Sequence, residues 1–246
     1  MILGVLQART SSSRLPGKVL KPILGRAMLE LQIERLARVQ AFDRLIVATS
    51  SSQSDDQLEV LCNGIGVYCY RGSLEDVLDR VYCAARPFEP SHVVRLTGDC
   101  PLADSNVVDD LIAFHLTGKF DYSSNTITPT WPDGLDAEVC STHALEVAWN
   151  EARTPSEREH VTPFIYNRPE RFRLGDFRND EDLSSFRWTV DEPEDFAFVE
   201  RVYAELYPHD PAFTSADILK LMIELPTLTH INDGFVRNAG VSGLSE

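Results

Sequence analysis

The first 120 residues alternate between short apolar runs and stretches with helical spacing. Ile2–Leu6, Leu45–Ala48, Val67–Tyr70 and His92–Leu96 have the length and Val/Ile/Leu content of buried strands. Between the first two, Ala27–Val39 places apolar side chains at 28, 29, 31, 33, 36, 37 and 39, which predicts a helix. Ser54-Asp55-Asp56 opens a second helix through Cys62, Leu74–Ala85 reads as a third, and Asp104 caps a fourth that ends near Leu116. Such alternation predicts a parallel, doubly wound sheet with helices on both faces. In that architecture ligands sit in the loops at the carboxyl ends of strands, which directs attention to the loops after the first and fourth.

The second half is less regular. Asp121–Asn125 and Ala137–Cys140 flank a Pro-rich loop, Thr128-Pro-Thr-Trp-Pro-Asp-Gly; helices are predicted over Thr142–Ala152 and Pro155–Tyr166. Phe172–Asp176 and Phe186–Val190 read as strands, Glu192–Leu206 as a helix, and Ser215–Ile223 as a last helix. No repeat, low-complexity tract or linker divides the chain. One domain over 1–246 is expected, in two halves (about 1–120 and about 121–246), the second including a substrate-facing and subunit-facing portion.

Charge changes this picture. Against 23 Lys+Arg stand 38 Asp+Glu, a formal charge of -15, which argues against nucleic acid or an anionic membrane surface as partner. Yet residues 1–26 carry Arg9, Arg14, Lys18, Lys21 and Arg26 and no acidic residue. They are either a solvated basic face or a compact anion site on an acidic protein. The five cysteines form no CxxC pair, so reduced thiols in a cytoplasmic protein are expected rather than a zinc or disulfide framework. No secretory leader or membrane span is expected from the sequence.

Three segments can carry chemistry. Gln7-Ala-Arg-Thr-Ser-Ser-Ser-Arg-Leu-Pro-Gly-Lys18 follows the first strand; its small residues let backbone N–H groups approach an anion, and Arg14 and Lys18 can neutralise phosphate oxygens. It is not a Walker A loop, because Ser12 and Val19 stand where that pattern needs Gly and Ser/Thr. In Arg95-Leu-Thr-Gly-Asp99, an acidic residue ends a central strand, where it can hold Mg²⁺ against nucleotide phosphates or simply form a turn. Asp191, at the end of Phe186-Arg-Trp-Thr-Val-Asp191-Glu-Pro, is either a second metal ligand or a helix cap. Acidic residues in Asp133-Gly-Leu-Asp-Ala-Glu138 and the polar run Glu157-Arg-Glu-His160 can meet sugar hydroxyls or serve as solvated surface.

Together these segments resemble the cytidylyltransferases that activate acidic sugars, the CMP-KDO and CMP-sialate synthetases. Within that superfamily the chain is most similar to the spore-coat polysaccharide biosynthesis protein F (SpsF) group. Ala8-Arg9, Ser12 and Arg14-Leu-Pro-Gly-Lys18 carry the likeness, continued by Arg71-Gly-Ser, Asp76-Val-Leu-Asp-Arg80, Arg95-Leu-Thr-Gly-Asp-Cys-Pro101, Asp121-Tyr, Ser124-Asn125, Gly134-Leu-Asp-Ala-Glu138, Arg158-Glu-His-Val-Thr-Pro163 and Arg187-Trp-Thr-Val-Asp191.

The resemblance implies a GT-A-like nucleotidyltransferase fold and Mg²⁺-dependent transfer of CMP from CTP to an acidic, ulosonate-like sugar, with release of pyrophosphate, in surface-glycan biosynthesis. It implies that Ala8, Arg9, Ser12, Arg71, Ser73, Arg80, Thr97 and Gly98 bind the nucleotide and that Arg14 and Lys18 hold its phosphates. Asp99 and Asp191 would coordinate Mg²⁺, while Asp133, Asp136, Glu138, Arg158 and His160 would face the sugar or a subunit interface. A homodimer is implied as well. The chain departs from the acidic-sugar synthetases at Thr97, where they carry Gln or a similar residue, and from the sialate enzymes at Thr189, where they carry Asp; one Mg²⁺ is therefore expected. Rival readings are a nucleotidyltransferase using another NTP with a sugar or polyol phosphate, a glycosyltransferase, and a non-catalytic sugar-nucleotide-binding protein.

Overall fold

The computed structural model describes residues 1–235. Seven strands form the main sheet: β1 (Ile2–Gln7), β4 (Arg44–Ser50), β5 (Cys69–Gly72), β6 (His92–Thr97), β7 (Tyr122–Ser124), β8 (Glu138–Ser141) and β9 (Leu174–Asp176). Their order across the sheet is β5-β4-β1-β6-β8-β7-β9, and β8 alone runs antiparallel to its neighbours. The expected parallel, doubly wound core is therefore present, extended by an insertion of opposite direction. The start of β8 thus lies at the edge where the other strands end, and Glu138 sits in register with both Arg95 and Ser124.

Period-two alternation assigns the strand side chains to two cores. Leu3, Val5, Ile46, Ala48 and Val93 pack under α3 (Val77–Ala85), α5 (Thr142–Glu151) and α7 (Pro163–Tyr166). Leu6, Val47, Val94 and Leu96 face the opposite layer, formed by α1 (Met28–Leu36), α2 (Asp56–Gly64), α4 (Ser105–Gly118), α8 (Pro193–Leu206) and α9 (Ser215–Glu224). Among the described residues no helix is long and apolar enough to cross a membrane.

Three local expectations need correction. The helix predicted over 155–166 is two: α6 (Pro155–His160) ends at Val161, and α7 starts at Pro163, whose missing N–H and ring clash forbid a continuous helix. The strand predicted at 186–190 does not form. The N–H groups of Trp188 and Thr189 instead donate to the Asp133 carbonyl at 2.6 and 2.8 Å, and that of Val190 to the Asp99 carbonyl at 2.8 Å. The apolar alternation there came from core packing, since Trp188 and Val190 are fully buried. A short hairpin, β2 (Pro22–Ile23) with β3 (Arg26–Ala27), was not foreseen; it leads the chain from the basic loop into α1.

Candidate active site

The carboxyl ends of β1 and β6 open into a cleft of about 530 Å³, and residues of the second half form its far wall. Its near wall is the loop after β1. The base of that loop is fixed by the fully buried Asp55, which accepts from the Thr10 N–H and hydroxyl at 2.8 and 2.6 Å and from the Ser50 hydroxyl at 2.5 Å. Burial alone would raise the Asp55 carboxyl; these hydrogen bonds outweigh it and hold it below the usual range. The Gly17 N–H closes the loop onto the Thr10 carbonyl at 2.9 Å, leaving Ser11–Arg14 projecting. Gly98 lets β6 end against this loop: a Cβ there would lie 3.0 Å from that of Ala8.

At the centre, the Lys18 ammonium meets both sequence-predicted metal carboxylates, Asp191 at 2.9 Å and Asp99 at 3.6 Å, and also donates to the Val190 carbonyl at 2.6 Å. Burial would lower the Lys18 pKa, but the two carboxylates outweigh it and keep the ammonium charged. For Asp99 the partial burial that would raise its pKa is outweighed by Lys18 and the Thr97 hydroxyl, so it is held ionised. Arg14 reaches Asp191 at 2.8 Å and Glu192 at 3.4 Å.

Two further arginines line the cleft in contrasting ways. Arg80, buried in α3, donates only to the carbonyls of Ser73 and Leu74, its Nε has no partner, and no carboxylate pairs with it among the described residues. Burial and the nearby Arg9 charge push its pKa down to about 10. Arg187, in contrast, is held by Asp133 at 3.0 Å, Asp191 at 3.5 Å and the fully buried Asp195 at 2.9 Å. Gly134 permits this wall to close: at φ 115°, it takes a backbone few other residues adopt, and a Cβ would lie 2.5 Å from the Thr189 nitrogen.

Of the sequence-predicted residues, the cleft gathers Ala8, Arg9, Ser12, Arg14, Lys18, Arg80, Thr97, Gly98, Asp99, Asp133, Asp136, His160 and Asp191. A smaller cavity of about 380 Å³ adjoins it through Arg95, Thr97 and Asp136 and is lined further by Tyr122, Tyr166 and Glu138. Glu138 is a hub there, accepting from Tyr122 and Thr162 hydroxyls at 2.6 Å each and pairing with Arg95. The neighbouring Val161 has φ 74° and ψ -58°, a strained γ-turn closed by Thr162 N–H on the His160 carbonyl at 2.9 Å. For a β-branched residue this is costly, and such strain collects where structure is bent to a task.

Three predicted residues stand outside both cavities. Arg71 is tied to Asp56, Glu59 and the carbonyls of Ser50 and Ser52. The Ser73 hydroxyl accepts from the Asp76 N–H, and Arg158 pairs with Asp76 at 2.5 Å, joining α6 to the start of α3. Arg95 and Arg187 also line the cleft, although their motifs point to no role for them. A lone cation in an apolar strand was the available signal for Arg95.

The donor set fits a single Mg²⁺. Asp99 and Asp191 share one ammonium and so face one volume, and Mg²⁺ is commonly held by one or two carboxylates, with phosphate and water filling the remaining positions. Among the described residues no cluster of three or more metal-binding side chains gathers here or elsewhere, so these two carboxylates would be the whole protein contribution.

The family profile described as Cytidylyltransferase matches residues 3–220. The spore coat polysaccharide biosynthesis protein SpsF of Bacillus subtilis is 33% identical over 233 residues, covering 92% of this chain and 95% of that protein. A cytidylyltransferase structure from Leptospira borgpetersenii superposes with a TM-score of 0.89 at 30% identity, covering 96% of this chain and 99% of that one. A CMP-2-keto-3-deoxy-manno-octonic acid synthetase complexed with CTP shares the fold, with a TM-score of 0.65 at 18% identity over 83% of this chain and 98% of that one. The chain belongs to the cytidylyltransferase family and is a nucleotidyltransferase.

Proposed function

We propose that the protein transfers CMP from CTP to an acidic sugar, releasing pyrophosphate, with one Mg²⁺ held by Asp99 and Asp191. The observation that carries this reading is the convergence of Arg9, Arg14, Lys18 and Arg80 with those two carboxylates in one cleft. A triphosphate supplies the anion that Arg80 lacks and can draw Lys18 and Arg14 away from Asp191. Bound there, Mg²⁺ would withdraw charge from the phosphate. The chain's own residues do the rest: Arg14 and Lys18 neutralise phosphate oxygens, and the loop after β1 holds the nucleotide for in-line attack at the α-phosphorus.

The adjoining cavity is the acceptor site in this reading. Asp136 borders both cavities, and Glu138, Tyr122 and Tyr166 offer hydroxyl-binding groups and ring faces to a sugar. Kinship with SpsF and with a CMP-2-keto-3-deoxy-manno-octonic acid synthetase supports an acidic acceptor and a role in polysaccharide synthesis. The cavity is rimmed by the exposed Ile127 and Tyr166, where a homodimer contact would cover apolar surface; light scattering should give twice the mass of one chain. All five cysteines are free thiols, which suits a reducing, cytoplasmic setting.

The direct test is pyrophosphate release with CTP, Mg²⁺ and a panel of ulosonates, other sugar acids and sugar phosphates. Release that requires both CTP and a sugar acid is expected. Release with another NTP and a sugar phosphate would replace this reading.

A further inference from the structure

The family profile ends at residue 220, yet the chain beyond it returns to the active-site wall. After α9, the turn Pro226–His230 buries Leu228 in the core, and the following Asn232 is itself buried. The Asn232 side-chain amide donates to two acceptors, the Arg187 carbonyl and Asp195 Oδ1, each at 2.9 Å. Asp195 is the keystone of the wall. Besides Asn232 it accepts from Arg187 Nε and Nη2 at 2.9 Å each and from the backbone N–H groups of Asp191 and Glu192 at 3.0 and 2.9 Å. The strap therefore grips both the backbone at Arg187 and the carboxylate on which the Asp191 peptide hangs.

We infer that Asn232 is a positioning residue that fixes the 187–191 segment so that the Asp191 carboxylate is presented to a cation and triphosphate in the cleft. This rests on the reading of Asp191 as a cation ligand. Asn232 is too far along the chain to be suspected from sequence, and it acts through Asp195 and Arg187 rather than on the ligand. Partners of this kind orient metal-binding carboxylates, and their loss costs about 10–100-fold in metal affinity or activity.

The experiment is calorimetric titration of the full chain with CTP, with and without Mg²⁺, well below each variant's melting midpoint. In the wild type, Mg²⁺ should strengthen CTP binding. Asn232→Ala should keep the metal-free CTP affinity within about twofold and lose about tenfold of the Mg²⁺-dependent gain. Asn232→Asp keeps the shape but removes the paired donor; it should lose at least as much, and it carries the test alone if the alanine variant does not fold. His230→Ala, on an exposed side chain of the same strap, should leave both affinities unchanged. A role in folding alone would weaken the two affinities together, and that result, or a full Mg²⁺ gain in Asn232→Ala, overturns the inference. Asp191→Ala separates the layers: loss of the gain there leaves the cation reading standing whatever Asn232 does, whereas a preserved gain defeats both.

Discussion

Arg80 and Arg187 face the same cleft, and both are largely buried, but their electrostatic settings are opposite. Arg187 lies among three carboxylates and completes a neutralised scaffold. Arg80 has two carbonyl contacts and, among the described residues, no paired anion. An unpaired buried cation is unfavourable in isolation, which supports the proposal that the wall near β1 receives an anion, while the wall near β8 has its charges already paired. The difference separates what recognises the ligand from what holds the recogniser in place.

Substitution should expose this contrast in stability and binding together. The largest effect is expected from Arg187→Met, which removes the cation shared by Asp133, Asp191 and Asp195: chemical denaturation should show a loss of about 3–5 kcal/mol. Arg80→Met should act with the opposite sign on stability, gaining about 1–2 kcal/mol because a desolvated charge is removed. The same variant should weaken CTP binding by about 10–100-fold, the worth of a hydrogen bond to a charged group. If both variants destabilise alike, the contrast between the walls is wrong. The smallest effect is expected at Arg71, whose guanidinium is occupied by α2 carboxylates outside the cleft; Arg71→Met should leave CTP affinity within about twofold in the same titration.

Much of the near wall was legible in the sequence because its elements are local. The strand Ile2–Gln7, the loop ending at Lys18 and the strand ending at Gly98-Asp99 each follow from periodicity and breaker residues within a short window. The far wall was legible only as a set of motifs. Its geometry depends on bonds between residues remote in sequence, such as Val190 on Asp99 and Asn232 on Asp195, for which no periodicity exists. That is also why 186–190 read as a strand: burial of Trp188 and Val190 imitates a sheet pattern, although the backbone partners are two loops. Arg71 and Arg158 show the converse limit, since cations that the resemblance assigns to the nucleotide (Arg71) and to the sugar or a subunit interface (Arg158) are used here to join helices and loops.

In the proposed function, Asp99, Asp191 and the basic loop form a cation-assisted CTP site. The most direct measurement is the melting temperature of the wild type and of Asp99→Ala with CTP, UTP, ATP or GTP, each with and without Mg²⁺. At a hundred times its dissociation constant a ligand adds about 2.7 kcal/mol, which for a chain of this size raises the midpoint by roughly 5–10 °C. That rise is expected for CTP, larger with Mg²⁺ than without, with the Mg²⁺ increment lost in Asp99→Ala. A larger rise with another nucleotide, or an Asp99→Ala response equal to that of the wild type, would contradict it.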